Sequence, residues 1–259
     1  MKKAIVLTGG SNAEQSYRFA RIIAANAVET VAVIASPRTD QELAEGVHAI
    51  VNPGAEVIYA RKPGESGEVQ RHLDGGVDLA FNTGFDYIVD KPFLDALGIG
   101  CVNAHPAALP LNRGCHFSFW GIMDGTPHGA SIHWIDEGLD SGDIVDQLTF
   151  EDDGFMTAAQ VMKKAEALCV ELWEKNLPAI IDGTAPRRPQ SEGSYHAKSE
   201  IAEASTLRSG DSIGVDRLLD LSRATSCKGN GFFIVKDGRW VLVRTQVEVI
   251  DEPENSGER

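Results

Sequence analysis

The chain has 259 residues, 42% hydrophobic and 24% charged, enough for one large domain, or one domain with a small appendage, around a real core. Its formal net charge of −14 repels phosphate backbones at long range and argues against a nonspecific grip on nucleic acid. No apolar run approaches the roughly 18 residues of a membrane span, and the basic-then-apolar start is too short for a signal peptide, so a cytoplasmic protein with no membrane partner is expected.

In chain order, Ala4-Ile5-Val6-Leu7 reads as a buried strand ending in Thr8-Gly9-Gly10-Ser11-Asn12. Tyr17, Ala20, Ile23 and Ala24 share a helical face, and residues 31–35 form a second buried strand. This βαβ opening predicts a parallel sheet. Residues 56–60 read as a weaker strand, 69–73 as a short helix, 77–81 as a strand, 91–97 as a short helix and 101–103 as a strand. Two more strands, 129–134 and 143–148, flank a loop that carries Asp140. Ala158, Val161, Met162, Ala165, Leu168, Cys169, Leu172 and Trp173 recur at helical spacing, which predicts a long amphipathic helix over 157–177, with Pro178 and Gly183 marking its end or a turn. Composition changes after Gly183, and the domain boundary is placed there: 1–183 as the main domain, 184–259 as a small C-terminal subdomain. The latter contains a helix over 215–222 and a β-hairpin, 232–235 and 240–243, turning at 236–239, in which Phe232, Phe233 and Trp240 read as core rather than as a stacking surface. The tail after Asp251 is expected to fray. Cys101, Cys115, Cys169 and Cys227 show no C-x-x-C spacing, and no His/Asp/Glu cluster has ligand spacing, so no metal is expected. Cys101 and Cys169 read as core thiols.

Asn103-Ala104-His105-Pro106 closes a buried strand, the place where open α/β sheets hold ligands, and Leu139-Asp140-Ser141-Gly142-Asp143 follows at a distance. An amide can hold an oxyanion, an imidazole can exchange a proton near neutral pH, and a carboxylate can orient the imidazole or collect a proton. With Leu109-Pro110, Asn112-Arg113-Gly114, Gly129-Ala130-Ser131-Ile132-His133 and Ile144-Val145, these residues resemble the formyltransferases that use 10-formyltetrahydrofolate, from about Val77 to Gln147. The resemblance implies an α/β, Rossmann-like catalytic domain with a mainly parallel sheet, here followed by a small β-containing subdomain. It implies that Asn103 and His105 donate N–H groups to the oxyanion of formyl transfer and that Asp140, directly or through water, moves the proton of the attacking amine. Taken singly, Asn103 can be a turn residue and His105 a satisfied core histidine; the whole set in register favours catalysis. His133 is implied near the triad, as support or as a packed strand residue.

The resemblance further implies that Gly84, Phe85, Tyr87 and Ile88 enclose the pterin ring, with Leu139, Ser141 and Asp143 on the opposite wall; packing is the alternative for Phe85 and Ile88. Gly10 and Ser11 lie between a strand and a helix N-terminus, where a phosphate-bearing substrate can bind, a plain βα turn being the competing reading. The stretch is not a G-x-G-x-x-G, so a dinucleotide site is poorly supported. Arg187-Arg188 can grip a diphosphate or be a solvated linker pair. Asn112, Arg113 and the Tyr195-His196 pair are the further substrate-binding candidates, because similar stretches occur in formyltransferases acting on nucleotide-linked amino sugars.

Among the relatives, the sugar N-formyltransferases fit best, on length and on Asn112-Arg113-Gly114 with Phe119-Trp120. Glycinamide ribonucleotide formyltransferases usually lack the segment after Gln190. Methionyl-tRNA formyltransferases carry a larger C-terminal barrel and basic surfaces, and formyltetrahydrofolate hydrolases an N-terminal regulatory domain. The expected reaction moves a formyl group from 10-formyltetrahydrofolate to the amine of a nucleotide-linked sugar (dTDP-, UDP- or GDP-linked 4-amino-4,6-dideoxy) for surface polysaccharide. Its partners would be small molecules, with a homodimer through the hairpin compatible with the family. Ala107-Ala108 and Ala130-Ser131 depart from the family's commoner Ser-Leu and Val-Thr, changes that can reshape the amine pocket. A non-catalytic folate- or nucleotide-binding module is the alternative from another class, and the intact Asn103, His105 and Asp140 argue against it.

Overall fold

The computed structural model describes residues 1–10, 12–227 and 231–249. Ser11, expected to touch substrate, and the tail after Asp251 lie outside the described residues. The opening unit is β1 (Lys2–Thr8), α1 (Ala13–Ala24) and β2 (Val28–Ala35), with β2 parallel to β1. A helix not read from the sequence follows, α2 (Gln41–Val51); Asp40 caps it, and Leu43, Ala44 and Val47 form its buried face. Then come β3 (Glu56–Tyr59), α3 (Gly67–Asp74), β4 (Leu79–Asn82), α4 (Lys91–Asp95) and β5 (Gly100–His105). After the short β6 (Arg113–Gly114) and α5 (Phe117–Met123), the antiparallel β7 (His128–Trp134) and β8 (Ile144–Phe150) complete the large sheet.

Its strand order is β3-β2-β1-β4-β5-β7-β8. The first five strands are mutually parallel, and β7 runs antiparallel to β5, so the expected mainly parallel sheet is present. Both faces are covered. Along β1, Ala4 and Val6 join one core with Phe19, Ile23, Leu43, Val47, Trp173 and Leu177. Ile5 and Leu7 join a second core with Val69, Leu73, Phe93 and Leu97. This is why the strand reads as a continuous apolar run rather than an alternating one. The chain winds outward from β1 to β3 and returns to β4, so the carboxyl ends of β1 and β4 flank a switch point, the crevice where such sheets bind ligands.

The long helix α6 (Ala158–Asp182) opens with a capping box between Thr157 and Gln160 and ends at Gly183, whose φ is 73°. It runs through Pro178 instead of stopping there. An interior proline costs about 3 kcal/mol, but Leu177, Ile180 and Ile181 around it are buried, and each burial is worth about 1.5–3 kcal/mol.

Residues 184–196 then return across the main domain. Trp134 Nε1 donates to the Pro186 carbonyl at 3.0 Å, and the Arg187 guanidinium lies 3.8 Å from the Trp134 ring centre. Arg187 also donates to Ile99 O, and Arg188 bridges Ile144. The arginine pair is thus tethered by a ring and by carbonyls, Arg188 donating to Val145 O, while both side chains stay exposed to solvent. The strap ends in β9 (Tyr195–His196), parallel to β6. The remainder comprises α7 (Glu200–Ala204), β10 (Thr206–Arg208), α8 (Val215–Ala224), β11 (Phe232–Lys236) and β12 (Arg239–Val243). The hairpin turns on Asp237 and Gly238, with φ of 49° and 71°, the pairing a tight hairpin requires. Phe232 is core as expected, but Trp240 is 65% exposed and only edges Phe233. Among the described residues no helix is long and apolar enough to cross a membrane.

Candidate active site

Asn103 and His105 alternate on β5 and so point to one face of the sheet. The register with β7 sets His133 directly opposite Asn103, and the β7–β8 loop brings Asp140 over both. These four residues line one cavity of about 250 Å³.

The hydrogen bonds assign each group's role. His133 Nδ1–H donates to the Trp134 carbonyl at 2.9 Å, so Nε2 carries the lone pair and accepts an N–H from Asn103 Nδ2 at 3.2 Å. Burial lowers the His133 pKa below the ordinary 6.5, against the pull of Asp140, which keeps the ring neutral. One Asn103 N–H is thereby fixed and the other is left for the cavity. His105 Nε2–H donates to the Asn112 carbonyl at 3.1 Å. Its Nδ1 lies 3.6 Å from Asp140 Oδ2. The neutral ring therefore shows the site a lone pair, and only the charged ring offers the N–H expected from the sequence.

Asp140 sits at φ 52°, in the left-handed region. Its Oδ2 accepts the Gly114 N–H at 2.9 Å, and its Oδ1 lies 3.6 Å from His133 Nε2. Burial works to raise its pKa, but His105, His133, the Gly114 N–H and Arg113 outweigh it and hold the carboxylate below the ordinary 3.8.

Of the residues expected around a flat ring, Gly84, Phe85, Tyr87, Ile88 and Leu139 line the cavity. Ser141 and Asp143 do not. Ser141 Oγ donates to Asp136 at 2.8 Å, and the Asp143 carbonyl accepts the Trp134 N–H. Two cations missed in the sequence, Arg38 and Arg61, stand 5.4 and 5.1 Å from the Tyr87 ring centre. Apolar walls with peptide groups between them suit a flat, hydrogen-bonding heterocycle. A second cavity, about 160 Å³, shares Asn82, Gly84 and Asn103 with the first and reaches Gly9 and Gly10. Asn103 thus stands on the wall between two compartments.

The expected acceptor-binding residues fare differently. At Gly10, the backbone faces the Gly84 carbonyl, and a Cβ on neighbouring Gly9 would come 2.9 Å from Asp86 Oδ2. Asn12 already caps α1. A carboxylate and a carbonyl beside Gly9 and Gly10 oppose a phosphate at these two residues. Asn112 is 2% exposed and donates to Thr126, acting on the site through its carbonyl. Arg113 donates through Nε and a terminal nitrogen to Gln190, and to the Ser191 carbonyl, an internal contact where a substrate contact was expected. His196 stacks on Trp120 with ring centres 3.9 Å apart and meets Asp124 and Glu200, while Tyr195 is exposed. Ser131, one of the departures noted in the sequence, donates to Ala107 O, accepts the Leu109 N–H and so braces the loop after His105. Gln190 and Ser194 were missed, and they tie the strap to the site through Arg113, Asp140, Gly142 and Asn112. No short-range pattern marks either one. Among the described residues, no group of three or more His, Cys, Asp or Glu could hold a metal.

A family model described as formyl transferase matches residues 1–172. The dTDP-4-amino-4,6-dideoxyglucose formyltransferase of Mycobacterium bovis is 30% identical over 164 residues, 62% of this chain and 68% of that protein. A 4-N formyltransferase structure from Francisella tularensis superposes with a TM-score of 0.80 at 23% identity, over 96% of this chain and 99% of the other. An N-formyltransferase from Helicobacter canadensis, in complex with folinic acid and dTDP-3-aminofucose, gives 0.65 at 20% identity, over 92% and 85%.

Proposed function

The chain belongs to the formyl transferase family, and from that premise we propose that it moves a formyl group from 10-formyltetrahydrofolate to the amine of a nucleotide-linked amino sugar. The observation that carries this is the convergence of Asn103, His105 and Asp140 on a cavity walled by Phe85, Tyr87, Ile88 and Leu139. The acceptor class rests on the relatives named for it, a dTDP-linked 4-amino-4,6-dideoxy sugar being the first candidate. The donor fits the cavity chemistry and is related to the folate held by the Helicobacter canadensis protein.

The donor supplies an activated formyl group. Asn103, its first N–H fixed by His133, turns the second toward the oxygen that gains charge. Asp140 and His105 Nδ1 handle the proton: the attacking amine must lose one, and either group can hold it before it passes to the departing nitrogen. Once His105 carries it, Nδ1–H becomes a second donor beside the Asp140 carboxylate. Positive charge thus comes from the protein's own groups, and no metal enters the proposal.

We place residues 1–183 as the catalytic domain and 184–259 as a C-terminal subdomain whose first stretch serves the site. The reaction is assigned to the cytoplasm and to surface polysaccharide synthesis, with small-molecule partners and a homodimer as the assembly. The test is a competition of acceptors with 10-formyltetrahydrofolate as donor: dTDP-, UDP- and GDP-linked 3- and 4-amino sugars, glycinamide ribonucleotide and methionyl-tRNA. Formylation of a nucleotide sugar is the expected result; formylation of the ribonucleotide or the tRNA alone would overturn the acceptor class.

A further inference from the structure

We propose that Gln190 is a positioning residue for formyl transfer, holding the Asp140 turn in its working shape from behind; the inference rests on the catalytic reading of Asp140 above. The Gln190 side chain lies between Arg113 and the β7–β8 loop. Arg113 donates to Gln190 Oε1 from Nε at 3.1 Å and from a terminal nitrogen at 2.8 Å. Arginine has no acceptor, so the oxygen of the amide must face it. The Nε2 group then necessarily points the other way, where it donates to the Asp140 carbonyl at 2.9 Å and the Gly142 carbonyl at 2.7 Å. All the strong groups of the side chain are used, and none reaches the cavity.

Three features make this clamp more than a fastening. Asp140 is a non-glycine residue at φ 52°, a backbone state that persists only where the surroundings impose it. The turn has no slack, because a Cβ at Gly142 would lie 2.0 Å from the Trp134 carbonyl. And the residue after Arg113, Gly114, donates its own N–H to the Asp140 carboxylate. Arg113-Gly114 therefore grips Asp140 twice, through Gln190 on the backbone and directly on the side chain. Releasing the backbone grip lets the carboxylate swing away from His105 and His133, each 3.6 Å distant. A shift of about 1 Å in such a group can cost a hundredfold in rate. The strap becomes part of the catalytic apparatus although it carries no reacting group.

Two variants separate the possibilities. Gln190→Ala removes the clamp. Gln190→Glu keeps the pairing with Arg113, and with it the docked strap, but cannot donate to the two carbonyls. Steady-state formyl transfer is compared in the native and the Asp140→Asn backgrounds, with amide hydrogen exchange at Gly114 as a readout free of turnover. The expected result is a fall of about ten- to a hundredfold in kcat for both variants at little-changed donor KM. In the Asp140→Asn background no further loss should follow, and Gly114 should exchange faster in both single variants. Equal losses in the two backgrounds, or native kcat in Gln190→Glu, would overturn the proposal, as would unchanged Gly114 exchange. A wild-type protein that formylates no amine would instead strike at the catalytic reading, while the exchange result still decides whether Gln190 fixes the turn.

Discussion

At the scale of single residues, the site divides the work among groups whose protonation is set by their partners. His133 stays neutral because burial disfavours its charged form, and that neutrality is what aims Asn103. His133→Phe should therefore lower kcat by about ten- to a hundredfold by freeing the Asn103 amide, with Asn103→Ala costing about 10²–10³. A His133→Phe enzyme with native kcat in a steady-state assay would contradict the assignment. Asp140 is held below the ordinary carboxylate value, so it remains charged across the whole working range. Loss of rate on acidification then belongs to the substrate amine, and Asp140→Asn should lower the plateau without moving that limb. A pH–rate profile whose acid limb vanishes in Asp140→Asn would show the carboxylate titrating there after all. Asn103, His105 and Asp140 stood out in the sequence by type and order, and the fold brings all three to one cavity. The tautomer of His105 was not legible, since it depends on the Asn112 carbonyl, seven residues away in a loop of irregular backbone.

At the scale of elements, the strands that position the site were read closely because buried parallel strands leave continuous apolar runs. The ends of β5 mattered most: the strand continues to His105, and this continuation gives Asn103 and His105 a common face. Elements fixed by long-range pairing were not legible. β6 and β9 are two residues each and exist only by pairing with one another. The helix α2 was overlooked although its cap and apolar spacing were present. Pro178 misled in the other direction, since core burial beyond it outweighs the lost hydrogen bond. Pro178→Ala should stabilise the protein by about 1–3 kcal/mol, less than the full helix penalty because the unfolded chain regains freedom. A thermal melt showing destabilisation would mean that the proline ring itself is needed for packing.

At the scale of the whole molecule, the C-terminal part is joined to the main sheet by apolar contacts and by an ion network around the buried Arg223. Phe119, Ile122, Ala158, Val161, Leu221, Ala224 and Phe232 form a third core. Within it Arg223 pairs with Asp152 and Asp220, and His128 stands 3.8 Å from Asp152. Arg223→Met should destabilise by about 1–3 kcal/mol, because Asp152 loses its arginine but keeps the Gly154 and Met156 N–H groups. Chemical denaturation with an unchanged midpoint would refute the network's role. The end of the long helix at Gly183 was visible in the sequence, but the return of the strap over Trp134 and Asp140 was not, because its contacts span about fifty to eighty residues of sequence.

Acid stability follows from the same buried groups. Burial holds His128 and His133 below 6.5 in the folded state, so the unfolded chain binds protons that the folded one refuses, and stability falls as pH drops through 6.5. For Asp140, Asp146 and Asp152, burial opposes the shift but their partners win and the folded values lie below 3.8. Their contribution is fully present above 3.8 and is lost as pH falls through those lowered values. Melting temperature should thus decline in two stages, and a constant value from about pH 7 to pH 5 would contradict the first.

The measurement closest to the central claim is single-turnover formyl transfer. Wild-type protein is mixed with 10-formyltetrahydrofolate and a dTDP-linked 4-amino-4,6-dideoxy sugar, and the N-formyl product is followed by mass spectrometry beside His105→Ala and Asp140→Ala. Product at the level of enzyme sites is expected for wild type, with rates lower by about 10³ or more for both variants at an unchanged fold. Near-wild-type rates in either variant, or binding of both ligands by the wild type with no product, would contradict this expectation.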